Sequence, residues 1–139
     1  MCKAVNNAIG RLGTAPLGRL EMPVSTEDQL ARLRGAPPLV LWLVSDAGCW
    51  VTGSRASFSD CRLHAASDWD ILVPWKLWET VVGALPLDKV VPTRKGGWRV
   101  RIEGQHDIDV FPGDIGDWLV KPFTHVAWHP KTGTVIEKR

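Results

Sequence analysis

No stretch of this sequence is apolar for long enough to cross a bilayer. A spanning helix needs about 20 consecutive apolar residues, and the longest run, "PPLVLWLV", stops at Ser45 and Asp46. The opening "MCKAVNNAIGRLGTAPLGRL" lacks the apolar centre of a secretory signal, and its mix of Gly, Pro, Asn and Arg predicts a loose arm over residues 1–20. Cysteine is scarce: Cys2, Cys49 and Cys61 are odd in number and far apart, which argues against a disulfide framework and for a reducing, cytoplasmic setting. An excess of charge is lacking too. Seventeen basic against fifteen acidic side chains leave +2, too little to point by itself to nucleic acid or to an anionic membrane. No internal repeat or low-complexity tract is present, so a solenoid is excluded.

What is present suffices for one domain, expected over residues 21–139. A chain of 139 residues buries about two-thirds of its unfolded surface, and 45% hydrophobic residues with eight tryptophans supply the core without a structural metal. The pattern predicts an α+β fold: a small mixed or antiparallel sheet, helices packed on one face, and a C-terminal hairpin. "STEDQLARLRG" reads as a short helix capped by Ser25 and stopped at Gly35. "PPLVLWLVSDAG" fits a buried strand or helix, with helix preferred. "CWVT" and "DWDILV" read as strands, the second pointing Trp69, Ile71 and Val73 one way and Asp68, Asp70 and Leu72 the other.

"PWKLWETVVGAL" then predicts a helix whose Trp75, Trp78 and Val82 face the sheet. "DKVVPT" and "WRVRIE" around "RKGG" form a hairpin pattern, with Val100 inward and Arg99 and Arg101 outward. "HDIDVF" alternates again, with Asp107, Asp109 and Phe111 on one face. "PGDIGDWLV" predicts a short helix, and "HPKTG" the turn of the closing hairpin.

The aspartates are the unexpected part. Carboxylates in a half-buried sheet need a counter-charge or they neutralise. Asp68 and Asp70 aim one way, and Asp107 or Asp109 joins them from another strand. Such a set offers the hard oxygen ligands that magnesium prefers, with room for substrate phosphates. Gly53-Ser54 adds a close backbone approach with amide and hydroxyl donors for a phosphate.

An apolar strand ending in Gly-Ser ("VTGS"), acid-x-acid on the next strand ("SDWDILV") and a third acid later ("DIDVF") resemble the nucleotidyltransferase fold of the DNA polymerase beta superfamily. The likeness spans about residues 37–111, and "GSRAS" and the Ser before the first acid in "SDWD" also resemble small stand-alone members, some carried by bacteriophages. It implies that Gly53 and Ser54 hold the β- and γ-phosphates of a nucleoside triphosphate, that Arg55 and Arg62 neutralise phosphate charge, and that Asp68, Asp70 and Asp109 bind Mg²⁺ or Mn²⁺. The implied reaction moves a nucleoside monophosphate to a hydroxyl of a small molecule, RNA or protein. The alternative is a catalytically silent domain of that fold that binds nucleotide or a partner protein, such as a modulator of host systems. Two departures stand out: "RASFSDCRLHAA" is longer than the corresponding segment of many members, and little chain follows the third acid to form an acceptor domain.

Spacing alone leaves Asp107 and Asp109 both open as the third acid. Asp109 is favoured because Ile108 and Val110 anchor it, whereas Asp107 lies near the Gly104-Gln105 turn. Arg94, Lys95, Arg99 and Arg101 form a basic strip that suits either a phosphate backbone or a solvated outer face. Cys61 with His64, and His125 with His129, lack the paired spacing of a zinc site. The tryptophans read as packing residues, with Trp69 the one placed to approach a nucleotide.

Overall fold

The computed structural model describes residues 25–57, 67–94, 96–120 and 126–137 in full and residues 20–23 as backbone. Eight strands form one mixed sheet: β1 (Leu20–Pro23), β2 (Trp50–Thr52), β3 (Trp69–Val73), β4 (Val90–Pro92), β5 (Trp98–Val100), β6 (Ile108–Pro112), β7 (Val126–His129) and β8 (Thr134–Glu137). Their order across the sheet is β1-β8-β7-β2-β3-β6-β5-β4. Every pairing is antiparallel except β3 with β6, which run parallel at the centre. A parallel pair needs a crossover, and here it contains α3 (Trp75–Ala84) followed by the β4–β5 hairpin.

Local chemistry accounts for the elements that the sequence announces. The Ser25 hydroxyl accepts from the Asp28 amide and caps α1 (Thr26–Leu33), with Glu27 and Asp28 in its first turn. The apolar run "PPLVLWLV" is helical: α2 (Pro38–Leu41) opens with proline and continues as a π-wound turn over Trp42–Asp46. α4 (Ile115–Leu119) is closed by a capping box between Asp114 and Asp117. The β4–β5 turn needs glycine at position 97, where a Cβ would lie 1.9 Å from the Val110 carbonyl oxygen.

The alternation expected on β3, β5 and β6 sorts the sheet into two faces. One carries the row Trp128, Val51, Ile71, Val110 and Trp98 across β7, β2, β3, β6 and β5. It packs with Val40, Leu43 and Val44 and with Val81 and Leu85 into the main core, most of it fully buried. The other face carries the row Ala127, Thr52, Asp70, Asp109, Arg99 and Val91. α4 covers part of that second face: Trp118 and Leu119 pack with Leu72, Phe111, Ala127 and Ile136.

Two expectations are corrected. Helices occupy both faces, since α4 lies opposite α2 and α3. On α3 the inward stripe is Leu77, Trp78 and Val81, continued by Leu85, while Trp75 is 55% exposed. Leu77, Val81 and Leu85 recur every fourth residue and form the better helical stripe, and the Trp75 amide is held by the Asp114 carboxylate at 3.1 Å. Among the described residues no helix is long and apolar enough to cross a membrane.

Candidate functional site

The sheet brings Asp70 and Asp109 side by side. They are direct partners in the parallel β3–β6 ladder, where neighbouring strands lie about 4.8 Å apart. Their side chains share the face opposite the main core. Thr52, fully buried on β2, donates its hydroxyl to the Asp70 carbonyl at 3.2 Å and fixes that strand edge. The chain then turns at Gly53 into a 3₁₀ turn over Gly53–Ala56. Gly53 has φ +70°, and a Cβ there would lie 2.6 Å from Asp70 Oδ2. Glycine is therefore required twice over, by its left-handed backbone and by the carboxylate pressed against it.

A guanidinium closes the other side. Arg99 of β5, the ladder partner of Asp109, forks onto that carboxylate with Nε to Oδ1 at 2.7 Å and Nη2 to Oδ2 at 3.1 Å. Its Nε lies 3.9 Å from Asp107 Oδ2. The bonds to Asp109 and the surrounding charges of Asp109, Asp107 and Asp68 hold the Arg99 guanidinium above its ordinary pKa. Asp68, at the head of β3, accepts from the Asp107 amide at 3.1 Å and lies 3.6 Å from His106 Nδ1. The order Asp70, Asp109, Arg99 thus runs across three strands, with Asp68 and Asp107 linked at one end.

The donor set has the chemistry of a divalent-cation site: two carboxylates in register, a third at the head of the same strand, all oxygen. With the side chains as they stand, no three such groups among the described residues converge into a metal cage, and Arg99 supplies the local positive charge. Asp109 and Asp107, both open from the sequence, take different places in the fold. Asp109 lies within β6 opposite Asp70, whereas Asp107 precedes the strand, its carbonyl taking the Trp69 amide at 2.9 Å.

Arg55 and Ser54 belong to the turn that opens at Gly53. Arg55 is buried, donates from Nε to the Ser67 carbonyl at 2.6 Å and lies over the Trp69 ring at 4.4 Å. Burial lowers its pKa despite the Asp68 charge. Its visible work is to hold the turn after β2 against β3. Trp69 is itself a core residue, 2% exposed, rather than a surface for a base. Ser54 is half-buried within the 3₁₀ turn, and its carbonyl accepts from the Ser57 amide at 3.2 Å. Arg62 and Lys95 lie outside the described residues, as do Cys2, Cys61, His64, His125 and the arm before Leu20. Cys49 is buried, and burial pushes its thiol up to about 12.

Sequence reading missed Arg32. From the last turn of α1 it is buried and donates to the Ser57 carbonyl, tying the end of the Gly-Ser turn to that helix. Burial lowers its pKa to about 10. No spacing distinguishes it from a surface arginine.

Two open cavities flank the ladder. One, of about 370 Å³, lies at the β4 edge and is lined by Arg94, Arg99 and Arg101 with Thr93, Val91 and Asp109. The other, of about 460 Å³, lies at the opposite ends of the strands and includes Trp50, His129, Lys76, Lys131 and Asp114. His129 Nε2 donates to the Gly48 carbonyl at 2.9 Å, Nδ1 lies 3.0 Å from the Thr132 hydroxyl, and the ring centre is 4.7 Å from that of Trp50. Comparison with family models, curated proteins and solved structures gives no match to this chain. The functional reading therefore rests on the geometry and the motifs.

Proposed function

We propose that this chain is a magnesium-dependent nucleotidyltransferase that moves a nucleoside monophosphate from a nucleoside triphosphate to a hydroxyl acceptor. The supporting observation is the ladder pairing of Asp70 with Asp109, with Gly53 pressed against the Asp70 carboxylate. Asp68, Asp70 and Asp109 would hold Mg²⁺ or Mn²⁺. When bound, the cation supplies charge neutralisation at the phosphates and acidifies oxygen ligands.

The chain's own residues divide the remaining work by their order on the sheet. The Gly53-Ser54 turn, on the β2 side of Asp70, presents an amide and a hydroxyl to the β- and γ-phosphates. Asp109, on the far side, takes the proton of the acceptor hydroxyl at a carboxylate oxygen. The freed oxygen bonds to the α-phosphorus as the bond to the pyrophosphate leaving group breaks. Arg55 is not assigned to phosphate, because Ser67 and Trp69 engage its guanidinium.

A second reading has an observation of its own. The Arg99 fork already balances the Asp109 charge, as expected of a silent domain that binds nucleotide or a partner protein. Incubation with labelled nucleoside triphosphates, Mg²⁺ or Mn²⁺ and a host extract separates the two. Metal-dependent transfer lost in Asp70→Asn and Asp109→Asn, but substantially retained in Asp107→Asn, supports the enzyme. Tight nucleotide binding without turnover supports the silent domain.

A further inference from the structure

The groove beside Asp109 is not explained by a triphosphate held at Gly53-Ser54, because it lies on the other side of the carboxylate pair. Three guanidinium groups line it, against the single carboxylate of Asp109. Arg99 and Arg101, two residues apart, project from one face of the β5 segment, and Arg94 comes from the turn before it. β4 is the last strand of the sheet, so the groove opens at an edge that no further strand covers among the described residues. Among the described residues no ion pair joins Arg94 or Arg101 to a carboxylate; only Arg99 is so engaged. Thr93 adds a hydroxyl.

We propose that this groove binds a phosphate-bearing ligand and that Arg99 is shared, forking onto Asp109 when the groove is empty and turning to the phosphate when it is filled. Planar guanidinium forks match phosphate oxygens as they match carboxylates, so the two acceptors compete for one donor. The Arg99 side chain is 36% exposed, with room to turn, whereas Asp109 is 15% exposed and held in the ladder. Occupation of the groove therefore frees a carboxylate next to Asp70. This last step rests on reading Asp70 and Asp109 as cation ligands; the phosphate site itself does not.

Titration calorimetry of the full chain in EDTA, with inorganic pyrophosphate in one arm and a short single-stranded oligonucleotide in the other, tests the site. Binding in either arm is expected, and the arm that binds more tightly identifies free phosphate or a nucleic-acid backbone as the source. Arg101→Ala should weaken that binding by about tenfold or more, the usual size of a charge-assisted hydrogen bond. Asp109→Asn should strengthen it severalfold by releasing Arg99. Absence of binding in both arms overturns the site, and unchanged or weaker binding by Asp109→Asn overturns the sharing. Thermal melts of each variant establish that it is folded, and Arg99→Lys, which keeps the charge without the fork, should bind less tightly than the parent. Mn²⁺ binding is measured separately on Arg99→Ala without phosphate. Tighter Mn²⁺ binding supports the freed carboxylate, while unchanged binding leaves the phosphate groove standing and counts against the cation reading.

Discussion

Ile71 and Asp70 are adjacent in the chain, and both pair with β6, Ile71 with Val110 and Asp70 with Asp109. Ile71 is completely buried among aliphatic and aromatic side chains, whereas Asp70 belongs to the row that continues through Asp109 to Arg99. The same five-residue strand thus serves two faces with opposite requirements. One face removes apolar surface from water and holds the molecule together. The other sets Asp70 beside Asp109 with Arg99 forked onto Asp109, and charges in contact with solvent contribute little to stability.

The comparison breaks most visibly on the apolar side. Ile71→Ala leaves a cavity between β3, β6 and the helices, and should lower unfolding free energy by about 2–5 kcal/mol. Asp70→Asn, one residue away and nearly isosteric, should change it by about 1 kcal/mol or less. Urea unfolding of both variants measures the contrast. Equal losses would mean that the carboxylate face also supports the fold.

The alternation that separates these faces is legible in "DWDILV" and "HDIDVF" because a strand has a period of two and the apolar residues keep to it. The helix cap at Ser25 is equally local. The pairing that matters most is not local. Asp70 meets Asp109 only because α3 and the β4–β5 hairpin return the chain to lie parallel with β3, and the register is fixed by packing of Ile71 on Val110 and Ile108 beside Trp69. The residue pattern offers Asp107 or Asp109 as the neighbour of Asp70 but does not choose between them. The position of Arg99 opposite Asp109 depends on the register across the loop from Arg101 to Asp107, and nothing in the sequence marks it. Arg55 shows the converse: next to Gly53-Ser54 it reads as a phosphate ligand, and only the folded chain places it over an indole.

Gly53 lies where the two requirements meet, and its substitution should have the next largest effect. Gly53→Ala pays for a left-handed backbone, roughly 1–2 kcal/mol, and its methyl must push Asp70 Oδ2 away from a 2.6 Å approach. The expected outcome combines a measurable drop in melting temperature with weakened triphosphate binding. The positive φ at this site means that Gly53→Val carries a stability cost as well. A variant as stable as the parent would show that the turn relaxes to negative φ.

Arg99→Ala should cost less still, about 1 kcal/mol or less. Its fork onto Asp109 is well formed, but the side chain is a third exposed, and pairs in contact with solvent contribute little. A larger loss in urea unfolding would assign the pair to the scaffold and remove the reason to regard Arg99 as able to turn. A small loss leaves Arg99 able to turn, as the proposed phosphate groove requires.

The smallest effect should appear at the far end of the face that carries Asp70, where His129 stands against Trp50. Burial lowers the His129 pKa, and the neighbouring Lys131 charge lowers it further, while the bond to the Gly48 carbonyl acts in the opposite direction. With Nε2 donating to the Gly48 carbonyl, the neutral ring leaves Nδ1 as an acceptor 3.0 Å from the Thr132 hydroxyl, so the ring needs no charge to hold this position. The sign of the pH dependence follows. The unfolded chain takes up this proton near the ordinary histidine value of about 6.5, whereas the folded chain binds it only at lower pH. The contribution of His129 is therefore fully present above pH of about 6.5 and is lost as pH falls from there through the lowered folded value. Urea unfolding of the parent and of His129→Gln at a series of pH values between about 7.5 and 5 isolates this contribution from the carboxylates, which are common to both. The parent should lose stability relative to the variant as pH falls across that window. Parallel curves would mean that His129 titrates alike in the folded and unfolded chains, and that this end of the face is as open to water as the carboxylate end.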